Sequence, residues 1–225
     1  MISFHSKETA SFFKKGRVFM EKIIYTIGRE FGSGGKDVGE KLAKELGIPY
    51  YDKDLLTRAS AESGLCEEIF HMQDEKPTSS FLYSLVTDTY SFSNYHGNTY
   101  LDMPLSQKVF LAQFDTIKRI AKEGSCVIVG RCADYALSDY PNCINAFIYA
   151  SKDYRIKRVA NDLGLSESKA KDLINRTDKQ RASYYNFYTN KKWGDSRSYD
   201  LSLNSEKLGI DGCVDMLLKY GEINK

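Results

Sequence analysis

The apolar positions of this chain change their period from one segment to the next. Residues 22–28 (KIIYTIG) form a β-branched and aromatic run, the pattern of a short buried strand. A glycine-rich turn, Gly32-Ser33-Gly34-Gly35, follows. Val38, Leu42, Ala43 and Leu46 then recur at helical spacing until Gly47 closes the helix. Residues 48–52 predict a second short strand, 53–63 a helix and 67–73 another short helix. Over 107–122, Val109, Phe110, Phe114, Ile117 and Ala121 share one helical face. CVIVG at 126–130 and AFIY at 146–149 read as apolar strands. Helices are predicted over 153–163 and 167–188, a last strand over 200–203, and 212–218 lie in a closing helix. Strands alternating with helices imply an α/β fold with a mostly parallel sheet covered on both faces.

Two segments stand outside this pattern. Residues 1–21 are mostly polar and include Lys14-Lys15-Gly16-Arg17 shortly before Met20. They are expected to be disordered, or a non-native leader with Met20 as the true start. Residues 76–103 are rich in Ser, Thr, Tyr and Asn with weak periodicity, which predicts an insertion or mobile acceptor-side segment. With no repeat and no dividing linker, residues 22–225 are expected to form one domain.

Composition adds mostly exclusions. Of 225 residues, 42% are hydrophobic and 28% charged, an ordinary globular balance. A formal charge of +2 gives no global reason to expect nucleic acid or a membrane surface as partner. The five cysteines show no CxxC spacing, which argues against a zinc site or a disulfide framework and makes a reducing cytoplasm the simplest setting. No apolar run approaches the length of a membrane span.

The first candidate chemistry lies in GREFGSGGKDVG, residues 28–39. A strand that runs through glycines into a helix can aim successive backbone N–H groups at one anion, and the helix N-terminus adds partial positive charge. Gly32, Ser33, Gly34 and Gly35 are therefore candidate phosphate-cradling positions, and Lys36 can reach the terminal phosphates. The pattern GxxxxGK[ST] would want glycine where Glu30 stands and Ser or Thr where Asp37 stands. Asp37 is a candidate Mg²⁺ contact or a first-turn helix acid, and Ser33 could also supply a hydroxyl. A tight turn that binds nothing is the plainer alternative.

Arginines supply the second candidate. Arg131 directly follows an apolar strand, at the edge where open α/β sheets bind ligands. Arg58 lies in the helix after Tyr51-Asp52. Arg155, Lys157 and Arg158 cluster on one helix, and Arg176 and Arg181 flank Asp178 on the next. Guanidinium forks bind phosphate oxygens bidentately, although any one arginine taken alone is more simply a solvated helix face. Asp52 and Asp178 are candidates to hold acceptor hydroxyls, or else to cap and pair with neighbours. The aromatic residues of 184–188, with Trp193, read as core or as an oligomer contact in a possible homodimer, ahead of a base-stacking platform.

These segments resemble one family. GREFGSGGKDVGEKLAKELGIPYYDKDLL (28–56), VIVGR (127–131), RTDKQRASYYNFY (176–188), WGD (193–195) and YDLSLNSEKLGIDGC (199–213) are similar to the bacterial cytidylate-kinase-like proteins, a branch of the nucleoside monophosphate kinases. The resemblance implies a three-layer P-loop kinase-type fold with a helical lid at about 155–195. It implies ATP and Mg²⁺ as cofactors and CMP or dCMP as the favoured acceptor. Lys36, Arg131, Arg176 and Arg181 would be catalytic. The loop, with Arg155 and Arg158, would hold ATP, while Asp52, Arg58, Arg131, Asp178 and Arg181 would hold the acceptor. The chain departs from true cytidylate kinases at Asp37 and Val38, at Cys132 after Gly130-Arg131, and at Lys53 and Asp54. His5, His71 and His96 lie outside the motifs, as expected where an ionised phosphate acceptor needs no strong general base. A kinase for another small molecule, an inactive nucleotide-binding regulator and a simple phosphate binder are the competing expectations.

Overall fold

A computed structural model describes residues 22–75 and 103–223. The expectations for residues 1–21, and for all but one residue of 76–103, lie outside the described residues. Five strands form one parallel sheet: β1 (Ile24–Arg29), β2 (Tyr50–Tyr51), β3 (Cys126–Val129), β4 (Cys143–Tyr149) and β5 (Leu201–Asn204), in the order β2-β3-β1-β4-β5. Between them run α1 (Gly35–Leu46), α2 (Asp54–Ser63), α3 (Glu67–Gln73), α4 (Leu105–Glu123), α5 (Ala133–Ala136), α6 (Lys152–Leu163), α7 (Glu167–Thr189) and the closing α8 (Ser205–Ile223).

Strand periodicity builds the layers. With Ile24 paired to Cys126 and to Cys143, alternate residues of three adjacent strands face the same way. Tyr25, Ile27, Val127, Val129, Ile144, Ala146 and Ile148 pack on Val38 and Leu42 of α1 and on Val214 and Leu217 of α8. Ile24, Cys126 and Ile128 pack instead on Leu55 of α2, Ile117 and Ile120 of α4, and Ala133 of α5. Helices therefore cover both faces, as the near-continuous apolar strands require. Burying one such Leu or Ile side chain contributes roughly 1.5–3 kcal/mol.

The strand order also positions the site. β1 and β3 are neighbours, yet α1 leaves β1 on one face and α5 leaves β3 on the other. Adjacent strands that send their helices to opposite faces leave a crevice at their carboxyl ends.

Three elements differ from the sequence expectation. β4 starts at Cys143, because polar Asn145 is satisfied within the sheet: its side chain accepts from Thr26 Oγ1 at 2.7 Å, and its N–H donates to Asp200 at 2.7 Å. α5 spans four residues, too few to show a helical period. α8 begins at Ser205 and kinks at Gly209, where φ is 69°.

α6 and α7 make a smaller core of their own. Ile156, Val159, Ala160, Ala170 and Ile174 enclose the ring of Phe31, from the turn after β1. Farther along α7, Tyr184, Tyr185 and Tyr188 are buried against Phe110 and Cys132, with Tyr188 stacked on Phe110 at 3.9 Å between centroids. These three aromatic side chains are thus core. Burial pushes the Cys126 and Cys143 thiols up to about 12, in keeping with cysteine used as a small apolar residue. Among the described residues no helix is long and apolar enough to cross a membrane.

Leu42 is fully buried between α1, the sheet and α8. Leu42→Ala is expected to cost about 2–5 kcal/mol, measured by urea denaturation. A loss well under 1 kcal/mol would show that this side of the sheet is not part of the cooperative core.

Candidate functional site

The turn after β1 is built to keep its shape. Gly32 and Gly34 adopt φ of 80° and 79°, a region that side chains with a Cβ rarely enter. Gly34 is the N-cap of α1 and supplies no side-chain cap, so the first-turn amides keep their donors for an incoming anion. The underside of the turn is fully engaged. Ser33 Oγ donates to the carbonyls of Glu30 and Ile148 at 2.9 and 3.0 Å, and Ser205 Oγ donates to the Ser33 carbonyl at 2.6 Å. Asp178 Oδ1 accepts the Phe31 N–H at 2.8 Å.

Arg155 completes that underside. Only 8% of its side chain is exposed, and it pairs with Glu30 at 3.2 Å and Asp178 at 2.5 Å. It also donates to the carbonyls of Ala150 and Phe31 at 3.2 and 3.1 Å. Burial raises the Glu30 carboxyl above its ordinary value against the pull of Arg155. Ser33, Arg155 and Asp178, expected as ligand contacts, thus spend their polar atoms holding the loop.

On the outer side, Lys36 is exposed on the first turn of α1. Asp37 beside it is exposed and accepts from Arg158 at 2.7 Å. Mg²⁺ in phosphoryl-transfer sites commonly takes one or two carboxylates plus substrate phosphates and water. Asp37 is the first-turn acid able to serve in that way once released from Arg158. Among the described residues no group of three or more His, Cys, Asp or Glu forms a metal cage.

Beside the loop stands a cluster of arginines. β1 ends on Arg29, whose side chain lies so close to Gly35 that a Cβ there would sit 2.5 Å from the Arg29 Cβ. β3 leaves through three consecutive left-handed residues, Gly130, Arg131 and Cys132, with φ of 76°, 53° and 56°. Such backbone persists only where its surroundings hold it. Here Arg131, 2% exposed, is fixed by both oxygens of Asp74 at 3.0 and 3.1 Å and by Asp52 at 3.1 Å. A Cβ on Gly130 would overlap the Arg29 guanidinium.

Glu75 joins the other two arginines, accepting from Arg29 at 2.7 Å and from Arg181 at 3.0 Å. α7 is tied down by the same residues: Arg181 donates to the Arg29 carbonyl at 3.3 Å, and Gln180 donates to the Asp74 carbonyl at 3.2 Å. Burial alone would raise the Glu75 carboxyl, but Arg29, Arg181 and Arg131 overrule it and hold it well below the ordinary range. Arg181 is itself pushed down by burial and by Arg29. The Arg29–Arg181 fork is therefore locally rich in positive charge. It opens on a cavity of about 20 Å³, room for about one water, lined also by Trp193 and Tyr199.

The structure thus gathers most of the expected residues into two adjoining groups. Gly32, Gly34, Gly35, Lys36, Asp37 and Arg158 surround the loop, and Asp52, Arg131 and Arg181 join the arginine cluster. Arg58 is held on the α2–α4 surface by Glu62 and Glu123, and Arg176 is exposed on α7. Arg29, Asp74 and Glu75 were missed. The signal for Arg29 was in hand, since it ends a strand just as Arg131 follows one.

Comparison with known proteins identifies the family and the fold. The cytidylate kinase-like family matches residues 24–207. The crystal structure of an uncharacterized protein from Eubacterium ventriosum is similar at TM-score 0.65 and 36% identity, over 89% of this chain and 99% of that one. Shikimate kinase from Bacteroides thetaiotaomicron shares the fold at TM-score 0.51 and 15% identity, over 90% of this chain and 99% of that one. None of the curated proteins compared with the chain matches it.

Two expectations follow from the ion pairs. Arg155→Met leaves Glu30 and Asp178 without their buried partner and should cost about 3–5 kcal/mol, whereas Arg158→Met breaks a half-exposed pair and should cost under about 1 kcal/mol. Urea midpoints compare them, and equal losses would remove Arg155 from its role beneath the loop. The folded Glu75 carboxyl titrates below its unfolded counterpart, so its contribution is present above the ordinary carboxylate range and drains away as pH falls through it. The stability gap between wild type and Glu75→Gln should therefore be largest near neutrality and shrink toward about pH 3. A gap that widens in acid would reverse the assignment.

Proposed function

The chain belongs to the cytidylate kinase-like family, and from that premise we propose that it transfers the γ-phosphoryl group of Mg·ATP to a small acceptor that carries an anionic group of its own. The observation that carries this reading is the adjacency of the two groups. An uncapped helix N-terminus behind a glycine loop, with Lys36 beside it, adjoins a fork of largely buried guanidiniums at the carboxyl edge of a parallel sheet. The first suits the donor phosphates and the second suits the acceptor. A nucleoside monophosphate of the CMP or dCMP type is the favoured acceptor, given the family.

The chemistry asks little covalent work of the protein. Loop amides and Lys36 would hold the β- and γ-phosphates, and Asp37 would hold the metal, directly or through water, after leaving Arg158. Mg²⁺ supplies charge neutralisation at the phosphates when bound. Arg131 and Arg181 would orient the acceptor for in-line attack, and Arg29, touching both groups, would neutralise charge between them. A phosphate acceptor is already ionised, so none of these residues need be a strong base.

A second reading is nucleotide binding without turnover. It is favoured by Asp37, which stands where a metal-binding hydroxyl is usual and is already paired with Arg158. ADP formation from Mg·ATP with CMP, dCMP, UMP, AMP and GMP as separate acceptors decides between them. Turnover is expected with CMP or dCMP, and Lys36→Ala should lower it by about 100-fold or more. ATP binding without turnover for any acceptor would support the second reading, and unchanged turnover in Lys36→Ala would remove that lysine from the site.

A further inference from the structure

The acids that meet the arginines are not equivalent. Asp74 and Asp52 both serve Arg131. Glu75 bridges Arg29 and Arg181, giving one oxygen to each. Its side chain is 12% exposed, and its backbone sits at φ 51°, a region that a residue with a Cβ seldom occupies. The two guanidiniums thus hold Glu75 in a conformation that the local chain does not favour.

The place it fills has the marks of a ligand subsite. A carboxylate spanning two guanidiniums takes the geometry that a phosphate takes on the same fork. The fork stands beside the glycine loop, through Arg29 and Gly35. It also opens on a small cavity lined by Trp193 and Tyr199.

We propose that Glu75 is an internal occupant of the acceptor's anion subsite, and that a phosphomonoester dianion binds by displacing its carboxylate from Arg29 and Arg181. The ligand class rests on the phosphotransferase reading above; the displacement does not. A phosphomonoester carries up to two charges and three strong acceptor oxygens, against one charge and two oxygens for the carboxylate. When Glu75 leaves, three guanidiniums face two carboxylates, and the excess positive charge favours the dianion. Glu75 therefore lowers the apparent affinity of every anion for this subsite by one common factor, the fraction of molecules in which the fork is free. Weak anions are kept out at ordinary concentration while a multiply charged ligand enters.

The test uses the full chain and inorganic phosphate. Trp193, the single tryptophan, lines the cavity, so its fluorescence reports binding. Glu75→Gln is expected to bind phosphate at least about tenfold more tightly than wild type. Glu75→Asp, one methylene shorter and unable to span both guanidiniums, should fall between the two and guards against loss of folding in the first variant. In both, phosphate should raise the melting temperature more than it does in wild type. Arg181→Ala should abolish the binding. Phosphate binding that needs Arg181 yet is no tighter in either folded Glu75 variant would overturn the proposal and leave the function reading standing. Binding that survives Arg181→Ala would overturn both the proposal and the placement of the acceptor.

Discussion

The glycine turn at the carboxyl edge of this sheet depends on one buried guanidinium. Arg155 reaches the carbonyls of Phe31 and Ala150 and the carboxylates of Glu30 and Asp178, and so ties the turn after β1 to the exit of β4 and to α7. Charge buried in this way is tolerated only where its partners are complete, and here they are: Asp178 also accepts the Phe31 N–H, and Glu30 also accepts the Ala150 N–H at 3.1 Å. The consequence is a loop whose underside is satisfied and whose upper amides are left with donors to offer. A phosphate cradle needs that asymmetry, because a loop that folds onto its own amides has nothing to give an anion.

The arginine cluster follows a different logic. Its three guanidiniums are paired with acids, but unevenly: Arg131 is locked by two aspartates, while Arg29 and Arg181 share one glutamate. Arg131 therefore stands as a fixed charge at the exit of β3, where three left-handed residues in succession need something rigid to hold them. Arg29 and Arg181 keep the capacity to exchange their partner. That difference divides fixed charge from available charge within a few residues.

Much of the fold was legible in the sequence, and the reason is periodicity. The run before Gly28 and the spacing of Val38, Leu42 and Ala43 could only be a buried strand and a half-buried helix, and the structure places them there. The errors fall where local pattern is overruled by a partner far along the chain. Asn145 interrupts an apolar run and would end a strand, were Thr26 not beside it. The α5 turn has too few residues to show a period. For the site, the sequence singles out Arg131 at a strand exit but not Arg29, which ends β1, nor Asp74 and Glu75 beyond α3. Arg131 and Arg181 could be read from position and motif, whereas Glu75 is placed by contacts with residues 46 and 106 positions away, which no spacing rule contains. Ser33 and Arg155 show the opposite limit: the sequence located them at the loop but could not say which side of it they serve, and it assigned Asp178 to the acceptor where the structure has it holding the Phe31 N–H.

The side a residue serves matters more than its nearness. Removing the Ser33 hydroxyl from reach of a metal, by spending it on the Glu30 and Ile148 carbonyls, leaves Asp37 as the first-turn group with metal-binding chemistry. A carboxylate brings charge where a hydroxyl brings none, so it attracts a divalent cation more strongly but also repels the phosphates beside it. In the structure Arg158 pairs with Asp37 and so engages one of the carboxylate oxygens that a metal would need. A loop of this kind works with its metal only if Arg158 turns from the acid to the phosphates as they arrive, which is electrostatically natural, since a phosphate cluster carries more charge than one carboxylate. On the proposed function, the glycine loop, the paired acid and the Arg158 guanidinium would form one unit whose charges are rearranged, rather than created, when nucleotide binds.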